Sequence, residues 1–143
     1  FVLYAILYNA GNKLDKNAVM SAVYFKIAAD LGDPNSMFEY ANFLRQLFQH
    51  ELEKVEIEKD LEKTKIIINK MENRNDYFYL EARYTMETFS NEDAALYVAK
   101  KYFERAAKTK ISKAEEALRK IEFTQKEIDY PAQYYDELCQ PLK

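Results

Sequence analysis

The chain has 143 residues, a net charge of −3, two glycines and three prolines, which is long enough for one domain with a real core. Neither Gly nor Pro occurs between Pro34 and Pro131, which weighs against an all-β fold or an α/β enzyme with glycine-rich loops on that stretch. The mild acidity points overall to neither a nucleic acid nor a membrane partner, a lone cysteine (Cys139) has no internal disulfide partner, and no apolar run approaches the roughly 20 residues of a membrane span.

The expectation is therefore an intracellular, cytoplasmic, all-α protein. The first segment, Phe1-Val2-Leu3-Tyr4-Ala5-Ile6-Leu7, lacks a basic leader and a cleavage site and reads as the middle of a helix, so the chain is expected to be either a single domain or a fragment of a longer array. That helix breaks at Asn9-Ala10-Gly11-Asn12. A second helix runs from Lys16 to about Asp30 with Val19, Val23, Ile27 and Leu31 in one row. Gly32 stands where a helix end wants positive φ, Asp33 is placed to cap the next helix, and Pro34 suits its first position. The third helix carries Met37, Tyr40, Ala41, Leu44 and Phe48 inward.

Arg45 to Asn73 contains no helix breaker and is laced with acid–base pairs three apart, including Glu56-Lys59 and Asp60-Lys63. Helical throughout, it would span about 40 Å. Its apolar residues are sparse from Leu52 to Leu61, which predicts a solvated helix projecting from the body, whereas Ile66-Ile67-Ile68 predicts burial. A long or bent inter-unit helix and a coiled-coil arm for a partner helix both fit. A further helix follows from Tyr77 to Thr88, the counterpart of the one at residues 1–9. Ser90 is a cap for a helix starting near Asn91, in which Ala95, Ala99, Tyr102, Phe103 and Ala106 form the inner face. Ser112-Lys113-Ala114-Glu115 spells a capping box for a last helix, Lys113 to about Lys126, with Ala114, Ala117, Leu118 and Ile121 at core spacing.

Within this order one word is spelled twice. Tyr24-Phe25-Lys26-Ile27-Ala28-Ala29 returns as Tyr102-Phe103-Glu104-Arg105-Ala106-Ala107, a shift of 78 residues, or twice a hairpin length of 39. No third copy lies halfway. Ala18, Tyr24-Phe25, Ala28-Ala29, Gly32, Met37 and Tyr40-Ala41 resemble the Sel1-like repeat, a relative of the tetratricopeptide repeat; Gly11 and Asp15 fit its preceding loop. The second copy keeps Ala99, Tyr102-Phe103, Ala106-Ala107 and Ala114 and has Lys110 at the turn glycine. The resemblance covers residues 4–48 and 77–121. It implies an α-solenoid of helical hairpins and an adaptor role in multiprotein complexes, with no shared catalytic residues. The units are 1–48, a long charged helical spacer at 49–76, a degenerate unit at 77–126 and a Tyr-rich capping segment at 127–143.

No phosphate-binding loop, metal-spaced Cys/His cluster or nucleophile set is spelled, so no cofactor and no enzymatic activity is expected. His50 is the sole histidine, and Glu92-Asp93 and Glu115-Glu116 read as helix-start charges. Two features point to partners. Lys100, Lys101, Arg105, Lys108, Lys110 and Lys113 make residues 100–113 basic, either as the wet face of a helix or as a docking patch for an acidic protein, RNA or anionic lipid. The chain also has 12 Tyr and nine Phe with no Trp. In the tail, Tyr134, Tyr135 and Leu138 either cap the last hairpin or bind another chain. The expected function is a scaffold binding a peptide or helix; the alternative is a structural subunit of a large assembly touching RNA through 100–113.

Overall fold

A computed structural model describes residues 17–49, 52–70, 77–109 and 111–125. They form six helices and no strand: α1 (Ala18–Asp30), α2 (Pro34–Phe48), α3 (Lys54–Asn69), α4 (Tyr77–Phe89), α5 (Glu92–Lys108) and α6 (Ser112–Gln125). The all-α expectation holds for these residues. The helix expected at residues 1–9, its loop and the tail from residue 126 lie outside them.

α1 is the central helix. Eleven of its thirteen residues are buried, so it is enclosed on every side and not amphipathic in one row. It packs on α2, α3 and α4. Leu31, expected as the last member of the apolar row, is 58 % exposed because it forms the helix end itself. The turn follows its residues closely. Gly32 has φ +107°, Gly32 N–H donates to Ala29 O at 2.9 Å and Asp33 N–H to Ala28 O at 3.0 Å, the paired bonds that close a helix on a left-handed glycine. Asp33 Oδ2 then accepts from Ser36 N–H at 3.0 Å, and Pro34 opens α2.

α2 packs on α1 and, most extensively, on α5. Tyr40 meets Tyr102 edge-on at 4.8 Å, and Phe38 lies 5.6 Å from Phe103. Tyr40, Ala41 and Leu44 are fully buried as expected, while Met37 and Phe48 are only half-buried. In the second copy of the repeated word, Tyr102, Phe103 and Ala106 are all fully buried. The end of α5 repeats the long bond of the first copy, with Ile111 N–H donating to Ala106 O at 3.3 Å. Lys110, which stands at the glycine's place, is outside the described residues.

Three boundaries differ from expectation. The helicity predicted across 45–73 is interrupted: α2 ends at Phe48, Leu52 and Glu53 are non-helical, and α3 starts at Lys54. The break needs no glycine or proline, because packing overrides propensity. α2 faces α5, whereas α3 turns Ile57, Asp60, Thr64 and Ile68 inward and packs on α1 and α4. So α3 is not a projecting arm, and of the three consecutive isoleucines only Ile68 is buried; Ile66 and Ile67 are 55 % and 38 % exposed. Asn91, not Ser90, caps α5, its Oδ1 accepting from Ala94 N–H at 3.3 Å; the Ser90 hydroxyl instead donates back to Met86 O at 2.8 Å. α6 already includes Ser112, which is therefore inside the helix and not its cap.

The apolar core has two parts. The larger joins α1, α2 and α5, with Ala114 of α6, Ile57 of α3 and Phe89 of α4 at its edges. A smaller one, Val23, Ile27, Ile68, Tyr79 and Ala82, sits under α3 and α4 alone where they meet α1. Polar contacts reinforce this second attachment. Asp60 Oδ2 accepts from the first amide of α1, Ala18 N–H, at 3.0 Å. Asn17 caps the same helix through Met20 N–H at 3.1 Å and donates through Nδ2 to Thr64 Oγ1 at 3.2 Å. A carboxylate from α3 and the side-chain amide of Asn17 thus both serve the positive end of α1.

Candidate functional site

α1 carries one lysine in an otherwise apolar middle, and that residue organises a buried ionic cluster. Lys26 is 1 % exposed. Its Nζ donates to Asp30 Oδ2 at 2.8 Å, one turn along α1, and to Glu81 Oε2 on α4. Asp30 Oδ1 accepts from the Tyr102 hydroxyl at 2.7 Å and from Arg105 at 3.2 Å, both on α5. Aromatic faces complete the lining: Lys26 Nζ is 5.9 Å from the Tyr84 ring centroid and 6.0 Å from that of Tyr102, and the Arg105 guanidinium sits 4.6 Å over Tyr102. Two cations meet two carboxylates at the junction of α1, α4 and α5.

Burial raises the Glu81 carboxyl to about 7, against the lowering pull of Lys26. Asp30 adds to the rise through like charge. Burial, together with Asp30, holds the Tyr102 phenol well above its ordinary value, so it stays a donor. A carboxyl titrating near neutrality is what acid–base chemistry needs, yet this one is 4 % exposed and bonded through Oε2 to Lys26. The geometry makes the cluster a tie between helices.

An open cleft lies elsewhere among the described residues. A cleft of about 520 Å³ forms where the end of α2, the connector and the start of α3 meet the end of α4. Leu47, Leu52, Ile57, Leu61 and Phe89 supply apolar lining, and Lys54, Glu58 and Ser90 supply polar groups. It exists because the chain breaks after Phe48: a straight continuation would carry Ile57 and Leu61 away from Phe89.

The residues singled out in the sequence do not converge there. Lys100 lies 4.0 Å from Glu104, and Lys101 Nζ sits 5.3 Å from the Tyr97 ring centroid. Arg105 turns inward to Asp30 and Tyr102, so it is not part of a purely solvated basic face. Lys108 and Lys113 are exposed. Lys110, His50, Tyr134, Tyr135, Leu138 and Cys139 lie outside the described residues. Lys26, Asp30 and Glu81 escaped sequence reasoning. Lys26 and Asp30 stand one turn apart, a spacing shared by any exposed helical ion pair; the available signal was a lysine amid the apolar run of α1.

Among the described residues no group of His, Cys, Asp and Glu is placed to hold a metal ion, and no helix is long and apolar enough to cross a membrane. Comparison with family models, with curated proteins and with solved structures finds no match for this chain.

Proposed function

We propose that this chain is a non-enzymatic scaffold, built as a helical-hairpin array resembling Sel1-like or tetratricopeptide repeats, that holds a partner helix inside a multiprotein complex. The packing of α2 on α5 supports the array reading, since the second helix of one pair meets the first helix of the next, as in stacked repeats. In that reading α3 and α4 are an insertion between the two pairs. The observation that carries the binding role is the cleft: an apolar lining with Lys54, Glu58 and Ser90 alongside suits the apolar stripe of an amphipathic helix with charges on its flanks.

The test is the size of the assembly formed by the full protein in its native cells. Leu52→Glu puts a charge into the half-buried lining at the edge of the larger core, against which Leu52 packs. It should leave the melting temperature within a few degrees and shift the protein from a large complex to a smaller species on sizing. An unchanged complex would remove the cleft from the account. The alternative, RNA contact through residues 100–113, predicts binding that weakens steeply with salt. Its cations Lys100, Lys101 and Arg105 already have partners within the fold.

A further inference from the structure

Of the large apolar side chains that stay exposed among the described residues, three lie on α3: Val55, Ile66 and Ile67. Two of them end a regular row. Val55, Lys59, Glu62 and Ile66 are spaced four, three and four apart, the spacing at which residues of one helix line a seam against another. All four are exposed, Val55 by 61 % and Ile66 by 55 %. The row runs along the side of α3 opposite Ile57, Asp60, Thr64 and Ile68, which face the body. At 1.5 Å per residue it is about 16 Å long.

We propose that this face of α3 is a self-association surface, on which a second copy of the chain lays its own α3 antiparallel about a two-fold axis between Lys59 and Glu62. The order of the four residues selects that occupant. Reversed on itself, the row sets Val55 against Ile66 of the second copy, Lys59 against Glu62, Glu62 against Lys59 and Ile66 against Val55. Every layer is matched, apolar on apolar or cation on anion. The flanks agree. The same arrangement brings Glu56 to Lys63 on one side of the seam and Glu58 to Lys65 on the other, each pair formed twice by symmetry. All four flanking residues are exposed.

Other arrangements of the same helix fail. A parallel pair stacks Lys59 on Lys59 and Glu62 on Glu62, and like charges across an interface are unfavourable. A slip of one heptad sets Val55 against Lys59 in one direction and Ile66 against Glu62 in the other. Within one chain Lys59 lies 3.6 Å from Glu56 at 63 % and 59 % exposure, a pair worth little in water, so exchanging it for contacts across the seam costs little. The charged centre fixes register at the expense of affinity, and four layers make a smaller contact than a standard interface. The dimer is therefore weak, reversible and sensitive to salt. It goes beyond the cleft reading and stands without it. Glu58 borders both surfaces, and a second copy captured there differs from a cleft partner in mass and in surviving Leu52→Glu.

Sedimentation equilibrium of the purified full protein at low salt, up to millimolar concentration, tests the proposal. The expected result is a reversible monomer–dimer equilibrium. Lys59→Glu and Glu62→Lys each set like charges in both central layers, and each should weaken the dimer at least about tenfold. An equimolar mixture of the two variants matches every layer again and should recover most of the lost affinity. Both positions are exposed, so far-ultraviolet circular dichroism should show unchanged helicity. A protein that stays monomeric at every concentration, a dimer indifferent to both reversals, or variants that do not rescue each other would overturn the proposal.

Discussion

Replacing Lys26 with methionine keeps the unbranched stem and most of its apolar contacts while deleting the ammonium, which isolates the cluster's electrostatics. In the native fold Lys26 is 1 % exposed and serves two carboxylates. Without it Asp30 keeps Tyr102 and Arg105, but Glu81 loses the cation that pulls its carboxyl down. Breaking a buried ion pair from one side costs about 3–5 kcal/mol, near the lower end here because Asp30 remains compensated. The loss must also depend on pH. In the variant Glu81 titrates above its native value of about 7, so above that pH the native carboxyl has ionised while the variant's still holds its proton. Each pH unit in that interval adds up to about 1.4 kcal/mol to the difference. Urea unfolding followed by far-ultraviolet circular dichroism at pH 6 and pH 8.5 measures both quantities. A loss below about 1 kcal/mol, or one that fails to grow with pH, would refute the claim that this cluster is buried and desolvated.

Three other outcomes follow from the packing. Ala28→Leu and Ala106→Leu, at positions 5 % and 0 % exposed, should each cost about 1–3 kcal/mol through overpacking, read as a lowered melting temperature. Gly32→Ala meets no atom within 4 Å but keeps φ +107°, so it should cost about 1–2 kcal/mol from backbone strain alone; a neutral result would mean the turn relaxes. Arg105→Glu sets a carboxylate against Asp30 and should destabilise by more than about 2 kcal/mol, whereas Lys101→Glu, over Tyr97 on the half-exposed face, should cost less than about 1 kcal/mol.

The first helix pair was legible because Gly32, Asp33 and Pro34 each have a local mechanism that acts within three residues. The repeated Tyr-Phe and Ala-Ala word was legible as packing for the same reason: large rings and small residues at helical spacing have few other uses. The break after Phe48 was not. No residue there disfavours a helix, and only the different destinations of α2 and α3 interrupt it. Nor was the inward face of α3, because two of its buried positions, Asp60 and Thr64, are polar and complete a stripe with Ile57 and Ile68 that an apolar-only reading misses. The ionic cluster was least legible, since Lys26 and Glu81 lie 55 residues apart and nothing local distinguishes Glu81 from the acids around it. The cleft depends on the same long-range choices.

The proposed function stands or falls with a partner helix seated in the cleft between α2, α3 and α4. A photo-crosslinking residue placed at Glu58, on the cleft's polar side, and separately at Arg83, on the exposed side of α4, tests it in the native cell. The expected result is one discrete protein crosslinked from position 58, lost on Leu52→Glu, and no such product from position 83. Equal products from both positions, or a nucleic acid in place of a protein, would contradict it.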